Sequence, residues 1–254
     1  MENLKKYSIK RYKGGKLYNT EDDIVVEHIF KIILDDEEFI NLICTPKSLK
    51  SLAVGFLHSE GIINSINDIL DISLCEKGGY VNIKLKNKEL LKSKINQKRA
   101  ITTGCGKGSI YYKALEELQY NNDSNKKELD YDNIMKLINN FNTKSELFKN
   151  TGGVHSVALS DFKNIIFFEE DIGRHNALDK IVGKCLLNNI DTKDKLILTS
   201  GRITSEIILK CVKLNINYIV SRSAATNMAI DLAKKLNLTI IGFARNDKMN
   251  IYNE

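Results

Sequence analysis

The chain has 254 residues, with 38 lysines and arginines against 32 aspartates and glutamates, which gives a net charge of +6. This length allows one large domain or two modest ones, and five cysteines at irregular spacing argue against a secreted disulfide framework. Residues 1–6 lack an apolar signal core and no apolar run is long enough to cross a bilayer, so we expect a cytoplasmic protein without a membrane partner.

The basic surplus has two interpretations. It suits a phosphate-bearing ligand or an acidic partner protein, and it also fits a solvated, lysine-rich surface. The sequence shows no basic helix and no basic stripe interleaved with aromatic residues, so nucleic acid is not an expected partner.

The first third of the chain has the pattern of a small α+β unit, because alternating or β-branched residues favour strands. A turn around residues 13–15 and polar residues 19–23 separate the first two strands. Thr45 can cap a helix and Pro46 is tolerated at its first position, so we expect a helix to begin there and to end at Gly61. The predicted strands are residues 7–12, 24–34 and 39–45, followed by a hairpin of residues 72–75 and 80–85.

A charged stretch over residues 86–99 predicts a domain boundary, with an N-terminal α+β domain at residues 1–98 and a larger domain at residues 99–254. A helical run over residues 109–118 precedes a polar segment, residues 119–130, which we expect to be a loop. This loop could cover a nearby site or be surface padding. An apolar helical face follows at Ile134, Leu137, Ile138 and Phe141.

From residue 151 onward, strands and helices alternate with short connections. This pattern is typical of a three-layer α/β domain whose strands are largely parallel where helices cross between them. Ligands of such sheets gather outside the carboxyl ends of the strands. The predicted strands are residues 154–159, 165–168, 196–199, 218–220 and 238–243, and the predicted helices are residues 176–187, 203–214 and 224–236.

The segment 101–109 places Cys105 among three glycines and beside Lys107. Glycines allow positive φ and can turn backbone N–H groups toward the sulfur. Lys107 and the start of the helical run favour the thiolate, so we interpret Cys105 as a nucleophile. The alternative is a flexible loop with an incidental cysteine, since most free cysteines are buried and inert.

Four turns that follow predicted strands each carry an arginine. Guanidinium groups and the N–H groups of helix N-termini bind phosphate oxygens together, so we expect a polyphosphate or nucleotide at this edge of the sheet. A single loop arginine is often only solvated, and the argument depends on all four. The candidate residues in these turns are Arg174, His175, Ser200, Gly201, Arg202, Ser221, Arg222, Ser223 and Arg245.

Two histidines could take part in proton transfer. His155 follows the turn Thr151-Gly152-Gly153, and His175 lies at a predicted helix start; each could transfer a proton, contact a phosphate or be structural. We expect His28 and His58 to be structural. The remaining cysteines lie near aliphatic residues and are expected to be buried; they are Cys44, Cys75, Cys185 and Cys211.

Several longer motifs are distinctive, and they extend over nearly the whole chain. They are Thr45-Pro46, Leu52-Ala53-Val54-Gly55-Phe56-Leu57, Ser59-Glu60-Gly61-Ile62-Ile63, Thr103-Gly104-Cys105-Gly106, Thr151-Gly152-Gly153-Val154-His155, the run from Glu170 to Lys180, Thr199-Ser200-Gly201-Arg202, Ser221-Arg222-Ser223-Ala224 and Ile241-Gly242-Phe243-Ala244-Arg245. Together they resemble the formate dehydrogenase accessory sulfurtransferase family, FdhD/NarQ.

By this resemblance, the protein would accept sulfur as a persulfide from a cysteine desulfurase. It would pass the sulfur to a bound substrate, molybdenum (or tungsten) bis(molybdopterin guanine dinucleotide), before insertion into the formate dehydrogenase apoenzyme. The resemblance also implies a cytidine-deaminase-like fold for the larger domain, a homodimer and no intrinsic metal. Cys105 matches the persulfide-bearing cysteine. The cofactor-contacting segment corresponds to Phe243, Ala244, Arg245, Asn246, Asp247 and Lys248.

The sequence departs from many relatives at Gly108, where they have a second cysteine. No disulfide can then close within the loop, so Cys105 would deliver sulfur directly, after external reduction, or with help from another group. A second hypothesis is a non-catalytic chaperone that binds the cofactor and docks it on its client. A zinc deaminase fits poorly, because His58-Ser59-Glu60 lies in the first domain and no Pro-Cys-x-x-Cys can follow Pro46, the one proline.

Overall fold

The computed structural model describes residues 2–87 and 128–254. The Cys105 loop, the helical run over residues 109–118 and the predicted boundary near residue 98 lie outside these residues, as does most of the predicted loop at residues 119–130. The described strands form three sheets, which have two, four and six strands.

An antiparallel ribbon begins the chain. β1 (Leu4–Lys13) pairs along its whole length with β2 (Lys16–Val25). The turn between them, at Gly14 and Gly15, is the one that the sequence predicts. The prediction of a break at residues 19–23 is wrong, because these residues continue β2. None of these residues is buried. The sequence therefore lacks the alternation of apolar and polar residues by which a half-buried strand is recognised.

A four-stranded sheet in the order β4-β3-β6-β5 packs one face against the first helix. Its core contains Phe30, Ile32 and Ile83 from the strands and Leu52 and Leu57 from the helix, all fully buried. The predicted hairpin at residues 72–85 is confirmed. The elements are β3 (His28–Leu34), β4 (Glu37–Cys44), α1 (Leu49–Ser59), a 3₁₀ turn (Ile66–Asp68), β5 (Ile69–Cys75) and β6 (Tyr80–Leu85).

The start of α1 differs from the prediction. The helix begins at Leu49, with Ser48 as its N-cap residue, so Thr45 does not cap it and Pro46 is not in its first turn. The Thr45 hydroxyl is hydrogen-bonded to Asp171, a residue 126 positions away. Only the tertiary structure provides this competing partner. The helix ends just before Gly61, as predicted.

The second half of the chain forms a six-stranded sheet in the order β12-β11-β10-β9-β7-β8. β9, β10 and β11 are parallel, whereas β7 is antiparallel to both of its neighbours. The elements are α2 (Tyr131–Lys144), α3 (Glu146–Thr151), β7 (His155–Ser160), β8 (Ile165–Asp171), α4 (Arg174–Leu187), β9 (Leu196–Thr199), α5 (Ser205–Lys213), β10 (Tyr218–Ser221), α6 (Asn227–Lys235), β11 (Thr239–Arg245) and β12 (Lys248–Asn253).

Helices cover both faces of this sheet. Leu198 and Val220 pack toward α2, whereas Ile197 and Ile219 pack toward α4, α5 and α6, because successive residues of a strand point to opposite faces. The predicted three-layer α/β domain, preceded by a smaller α+β unit, is therefore confirmed. No helix within the described parts of the chain is long and apolar enough to cross a bilayer.

β12 is an element that the sequence did not predict. It pairs antiparallel with β11 across a two-residue turn at Asn246 and Asp247, both of which have φ near +50°. Asparagine and aspartate tolerate this left-handed conformation, which a type I′ hairpin needs at both positions. The Asn-Asp dipeptide was the available signal.

α1 and α4 cross in close contact and join the two larger sheets. A Cβ at Gly55 would lie 1.8 Å from the carbonyl oxygen of Asp179, and a Cβ at Gly183 would lie 1.9 Å from that of Ser51. Since backbone atoms occupy both places, the helices can approach this closely only when each lacks a side chain at the crossing. The packing of the four-stranded sheet and α1 against the six-stranded sheet depends on these two glycines.

We expect Gly183→Ala to lower the free energy of unfolding by about 3 kcal/mol, the upper end of the usual cost of overpacking, because the two helices must separate. Gly14→Ala is a matched control: no atom lies within 4 Å of its Cβ, and its φ of +59° should cost only about 1–2 kcal/mol. Urea unfolding measures both. Equal losses in the two variants would contradict this account.

Candidate functional site

One edge of the six-stranded sheet collects the strand ends that the sequence singled out. The parallel strands β9, β10 and β11 end there. Because β7 is antiparallel to its neighbours, its first residue, His155, lies at the same edge opposite Asp171, the last residue of β8. We call this the arginine edge and define it by the turns at residues 172–176, 200–203, 222–226 and 243–248.

Serine side chains connect the turns of the arginine edge. The buried Ser221 donates from Oγ to the carbonyl oxygen of Gly201 at 2.6 Å and accepts from the N–H of Ser223 at 2.8 Å. Ser223 Oγ donates to the carbonyl oxygen of Ser200 at 2.7 Å, and the N–H of Phe243 donates to the carbonyl oxygen of Ser223 at 2.9 Å. These bonds hold three turns in a fixed relation. Ligand contact by the serines stays a prediction.

Arg174 and His175 begin α4 and are both half-buried. Gly201 lies against the side chain of Arg174, since a Cβ there would be 3.0 Å from the Arg174 Cβ. His175 Nε2 lies 3.0 Å from Oε2 of Glu206 in the first turn of α5. Arg202, in the turn that precedes α5, is exposed. The turns before α4 and α5 thus place two guanidinium groups and an imidazole side by side.

The other two arginines each lie over an aromatic ring. The guanidinium carbon of Arg222 is 5.9 Å from the ring centre of Phe148 on α3, and that of Arg245 is 5.9 Å from the ring centre of Phe243. Such cation–π contacts limit the freedom of a long side chain without consuming its hydrogen-bond donors. Both arginines therefore keep donors available for an anion.

The C-terminal part of the arginine edge is the hairpin between β11 and β12. Ala244 is buried and Phe243 is half-buried, whereas Asn246, Asp247 and Lys248 are exposed. Phe243 has φ +51° at a bulge in the strand pairing, which is unusual for a bulky side chain. The six residues of this segment do not form one surface, because Ala244 points into the core against α2.

His155 lies among the cations of the arginine edge. Its Nδ1 is 3.4 Å from Ser200 Oγ. Burial lowers the pKa of His155, and the positive charges of Arg174, His175 and Arg202 lower it further. The imidazole is therefore kept neutral near pH 7, and it can accept a proton or a hydrogen bond there.

A buried polar network under the β8–α4 turn was not foreseen from the sequence. Asp171 Oδ1 accepts from the N–H of Gly173 and from Asn176 Nδ2, both at 3.0 Å. Asp171 Oδ2 accepts from the N–H of Thr45 at 3.0 Å and pairs with Lys180 Nζ at 2.7 Å. Asp171 and Lys180 have no exposed side-chain surface. The network fixes the turn that carries Arg174.

A signal for this network is present in the sequence. Lys180 stands between Leu178 and Ile181 on the buried face of α4, where a lysine is stable only if it is paired. Its partner Asp171 belongs to the same motif, nine residues earlier. The pattern predicts a buried ion pair, although it does not identify Thr45 as the third member.

The described cysteines divide into two groups. Cys44, Cys185 and Cys211 are buried, as predicted, and burial raises the pKa of each thiol to about 12; near Cys44 the charge of Asp171 adds to this effect. These three thiols stay protonated and are poor nucleophiles. Cys75 is only half-buried, which differs from the prediction. Cys105 lies outside the described residues.

These features define a three-layer α/β protein with a second, smaller sheet and a cluster of arginines at one sheet edge. The sequence model of the FdhD/NarQ family matches residues 25–254, which begin at the last residue of β2. The chain belongs to the FdhD/NarQ family.

Curated relatives agree over nearly the full length. The chain is 39% identical over 242 residues to the sulfur carrier protein FdhD of Bacillus subtilis, covering 95% of this chain and 92% of the relative. It is 39% identical over 254 residues to that of Listeria monocytogenes serotype 4b, covering 99% and 97%. A crystal structure from Desulfotalea psychrophila, assigned as a putative formate dehydrogenase accessory protein, has the same fold, with a TM-score of 0.79. The two chains are 23% identical, and the match covers 100% of this chain and 98% of that one.

We expect Arg202→Met to raise the pKa of His155, because it removes one of the cations that disfavour the imidazolium. The matched control is Arg245→Met. It removes a positive charge from the same edge, but Arg245 is not among the groups that lower the pKa of His155. Titration of the His155 ring protons by NMR measures both. The account is wrong if the two variants leave the His155 pKa unchanged or shift it equally.

Proposed function

We propose that this chain is a sulfurtransferase that carries persulfide sulfur on Cys105 and passes it to molybdenum (or tungsten) bis(molybdopterin guanine dinucleotide) as substrate. The observation that carries the proposal is the state of the other thiols. Three of the four described cysteines are held protonated by burial, which leaves Cys75 and Cys105. Of these two, Cys105 has glycines and Lys107 beside it, neighbours that favour a thiolate.

Loading of the carrier is a thiol exchange. The Cys105 thiolate attacks the outer sulfur of the donor persulfide, and the sulfur–sulfur bond of the donor breaks. The electron pair of that bond leaves with the donor thiolate, so the step involves no net oxidation. The result is a persulfide on Cys105 and a free thiolate on the donor.

Delivery of the sulfur requires a balance of electrons. The outer persulfide sulfur has the oxidation level of elemental sulfur, so it must gain two electrons to become a metal-bound sulfide. The two electrons can come from the substrate metal. They can also come from an external thiol, which then forms a disulfide with Cys105. With Gly108 in the loop, the second thiol cannot come from that position.

The arginine edge is proposed to bind the phosphates of the dinucleotide. Arg174, Arg202 and Arg222 provide guanidinium groups, and the N-termini of α4, α5 and α6 lie at the same edge. Phe243 and the hairpin that follows it correspond, by the resemblance, to the segment that contacts the cofactor. The neutral His155 adds a proton acceptor beside the phosphates.

Further parts of the proposal concern partners. By the resemblance, the sulfur donor is a cysteine desulfurase. The client is the formate dehydrogenase apoenzyme, in keeping with the assignment of the structural neighbour as a formate dehydrogenase accessory protein. The same proposal includes a homodimer in the cytoplasm, with no membrane and no nucleic acid among its partners.

Incubation with a cysteine desulfurase and cysteine should add the mass of one sulfur atom to the intact protein, and a reductant should remove it. We expect Cys105→Ser to abolish this gain and Cys75→Ser to retain it, because Cys75 lies on β5 in the other sheet. Intact mass spectrometry of the three proteins makes the comparison. A gain that survives in Cys105→Ser would refute the carrier role of Cys105.

One observation favours a second candidate, the non-catalytic chaperone. The frame of the arginine edge is built from serines, glycines and backbone groups, and none of the described cysteines lies in its four turns. The described contacts that build the arginine edge therefore involve no thiol. If formate dehydrogenase activity in cells persists with Cys105→Ser and is lost with Arg222→Ala, the chaperone is the correct function.

Binding of GDP, used as a probe for the dinucleotide, should weaken about tenfold in Arg222→Ala and in Arg245→Ala. This corresponds to about 1.4 kcal/mol, within the range for a hydrogen bond to a charged group. Arg11→Ala, in the ribbon, is the control and should bind normally. Isothermal titration calorimetry measures the three variants, and unchanged affinity in both edge variants would show that the phosphates bind elsewhere.

A further inference from the structure

A short segment near the start of the chain is strongly basic. Residues 4–18 contain six lysines and arginines and no acidic residue. A second basic segment, residues 84–99, has seven lysines and arginines and one acidic residue, but most of it lies outside the described residues. The six basic residues of the first segment all lie in the ribbon formed by β1 and β2.

The ribbon also presents aromatic and aliphatic side chains to solvent. Tyr12 is 71% exposed and Leu17 is 69% exposed near the turn, and Tyr7 and Tyr18 are exposed along the strands. This corrects the sequence analysis, which found no basic stripe interleaved with aromatic residues. The interleaving is already present in the linear sequence, at Lys6-Tyr7 and Arg11-Tyr12-Lys13.

One edge of the ribbon carries no strand within the described parts of the chain. β1 pairs with β2 alone, and α3 contacts the ribbon through β2. The outer edge of β1 is ten residues long, and its backbone N–H and C=O groups form a template for another strand. Such edges bind extended peptides by strand addition.

We propose that the ribbon is a docking arm for an acidic, extended segment of a partner protein, which adds as a third strand along the outer edge of β1. Backbone hydrogen bonds hold the segment. Alternate residues of a strand share a face, so carboxylates at every second position lie beside Lys5 and Lys13 on one face of β1 or beside Lys6 and Lys10 on the other. Exposed tyrosines beside these lysines supply contact area. The proposal is independent of sulfur transfer, because it involves only residues 4–25.

The charge pattern favours a protein over a nucleic acid. Near its base β2 carries three consecutive carboxylates, at Glu21, Asp22 and Asp23, which would repel a phosphate backbone laid along the ribbon. Two of them pair with cations of β1: Arg11 is 2.8 Å from Asp22, and Lys6 is 4.0 Å from Asp23. A peptide on the outer edge of β1 avoids the carboxylates of β2.

The test uses the full chain and a fluorescent peptide of alternating glutamate and threonine as the probe. We expect saturable binding by fluorescence anisotropy that weakens at roughly 0.3 M salt, as an interaction between exposed charges must. The triple variant Lys10→Glu, Lys13→Glu, Lys16→Glu should bind about tenfold more weakly. The matched control replaces Lys136, Lys163 and Lys234, which are also exposed, by glutamate and should bind normally.

A second measurement does not depend on a variant. Hydrogen exchange of the unaltered protein should slow in residues 4–13 when the glutamate peptide binds, and a glutamine–threonine peptide should have no such effect. Three results would each overturn the proposal: equal weakening in both triple variants, tighter binding of single-stranded DNA than of the peptide, or a dimer of the chain that dissociates in the ribbon variant and so already covers the edge.

Discussion

The candidate site depends on the buried ion pair between Asp171 and Lys180. Lys180 Nζ also donates to Thr45 Oγ1 at 2.7 Å and to the carbonyl oxygen of Glu170 at 3.0 Å, so hydrogen bonds offset the desolvation of both charges. The pair joins the end of β4, the end of β8 and the middle of α4. Because the loss of one partner would leave an unpaired buried charge, at about 3–5 kcal/mol, the β8–α4 turn is held as firmly as the core around it.

The arginine edge and the ribbon are both basic, but they are built differently. In the arginine edge, short turns connect rigid strands and helices. The side chains of Ser221 and Ser223 bond to the turn after β9, and the carbonyl oxygen of Ser223 accepts from the N–H of Phe243. This construction places guanidinium groups with little freedom, which suits a small anionic ligand of fixed shape. In the ribbon, Lys10 and Lys13 are exposed on β1, and neither β1 nor β2 contains a buried residue. This construction suits an extended partner that contributes part of the structure.

Elements with a strong burial pattern could be predicted from the sequence. β9 was predicted with its observed bounds, and the helical face at Ile134 and Phe141 is buried in α2. The elements that were predicted wrongly or not at all share a cause. In each case the structure depends on a contact with a residue far away in the chain, or no burial is present to leave a pattern. Thr45 has a partner 126 residues away, the strand at residues 19–23 has no buried side chain, and β12 exists because β11 provides an edge to pair with.

By itself the sequence determined the alternation of strands and helices, the family and the positions of Arg174, Arg202 and Arg222 just after a strand, because these are properties of local pattern and motif. Arg245, which was predicted to follow a strand, is instead the last residue of β11. Only the tertiary structure decided that β7 runs antiparallel to β9, which brings His155 to the arginines and lowers its pKa. It also decided that the edge serines bond to turns and that six cations share one ribbon. The physical reason is that burial, pairing and electrostatic potential depend on distances in space, which residues far apart in the chain set together.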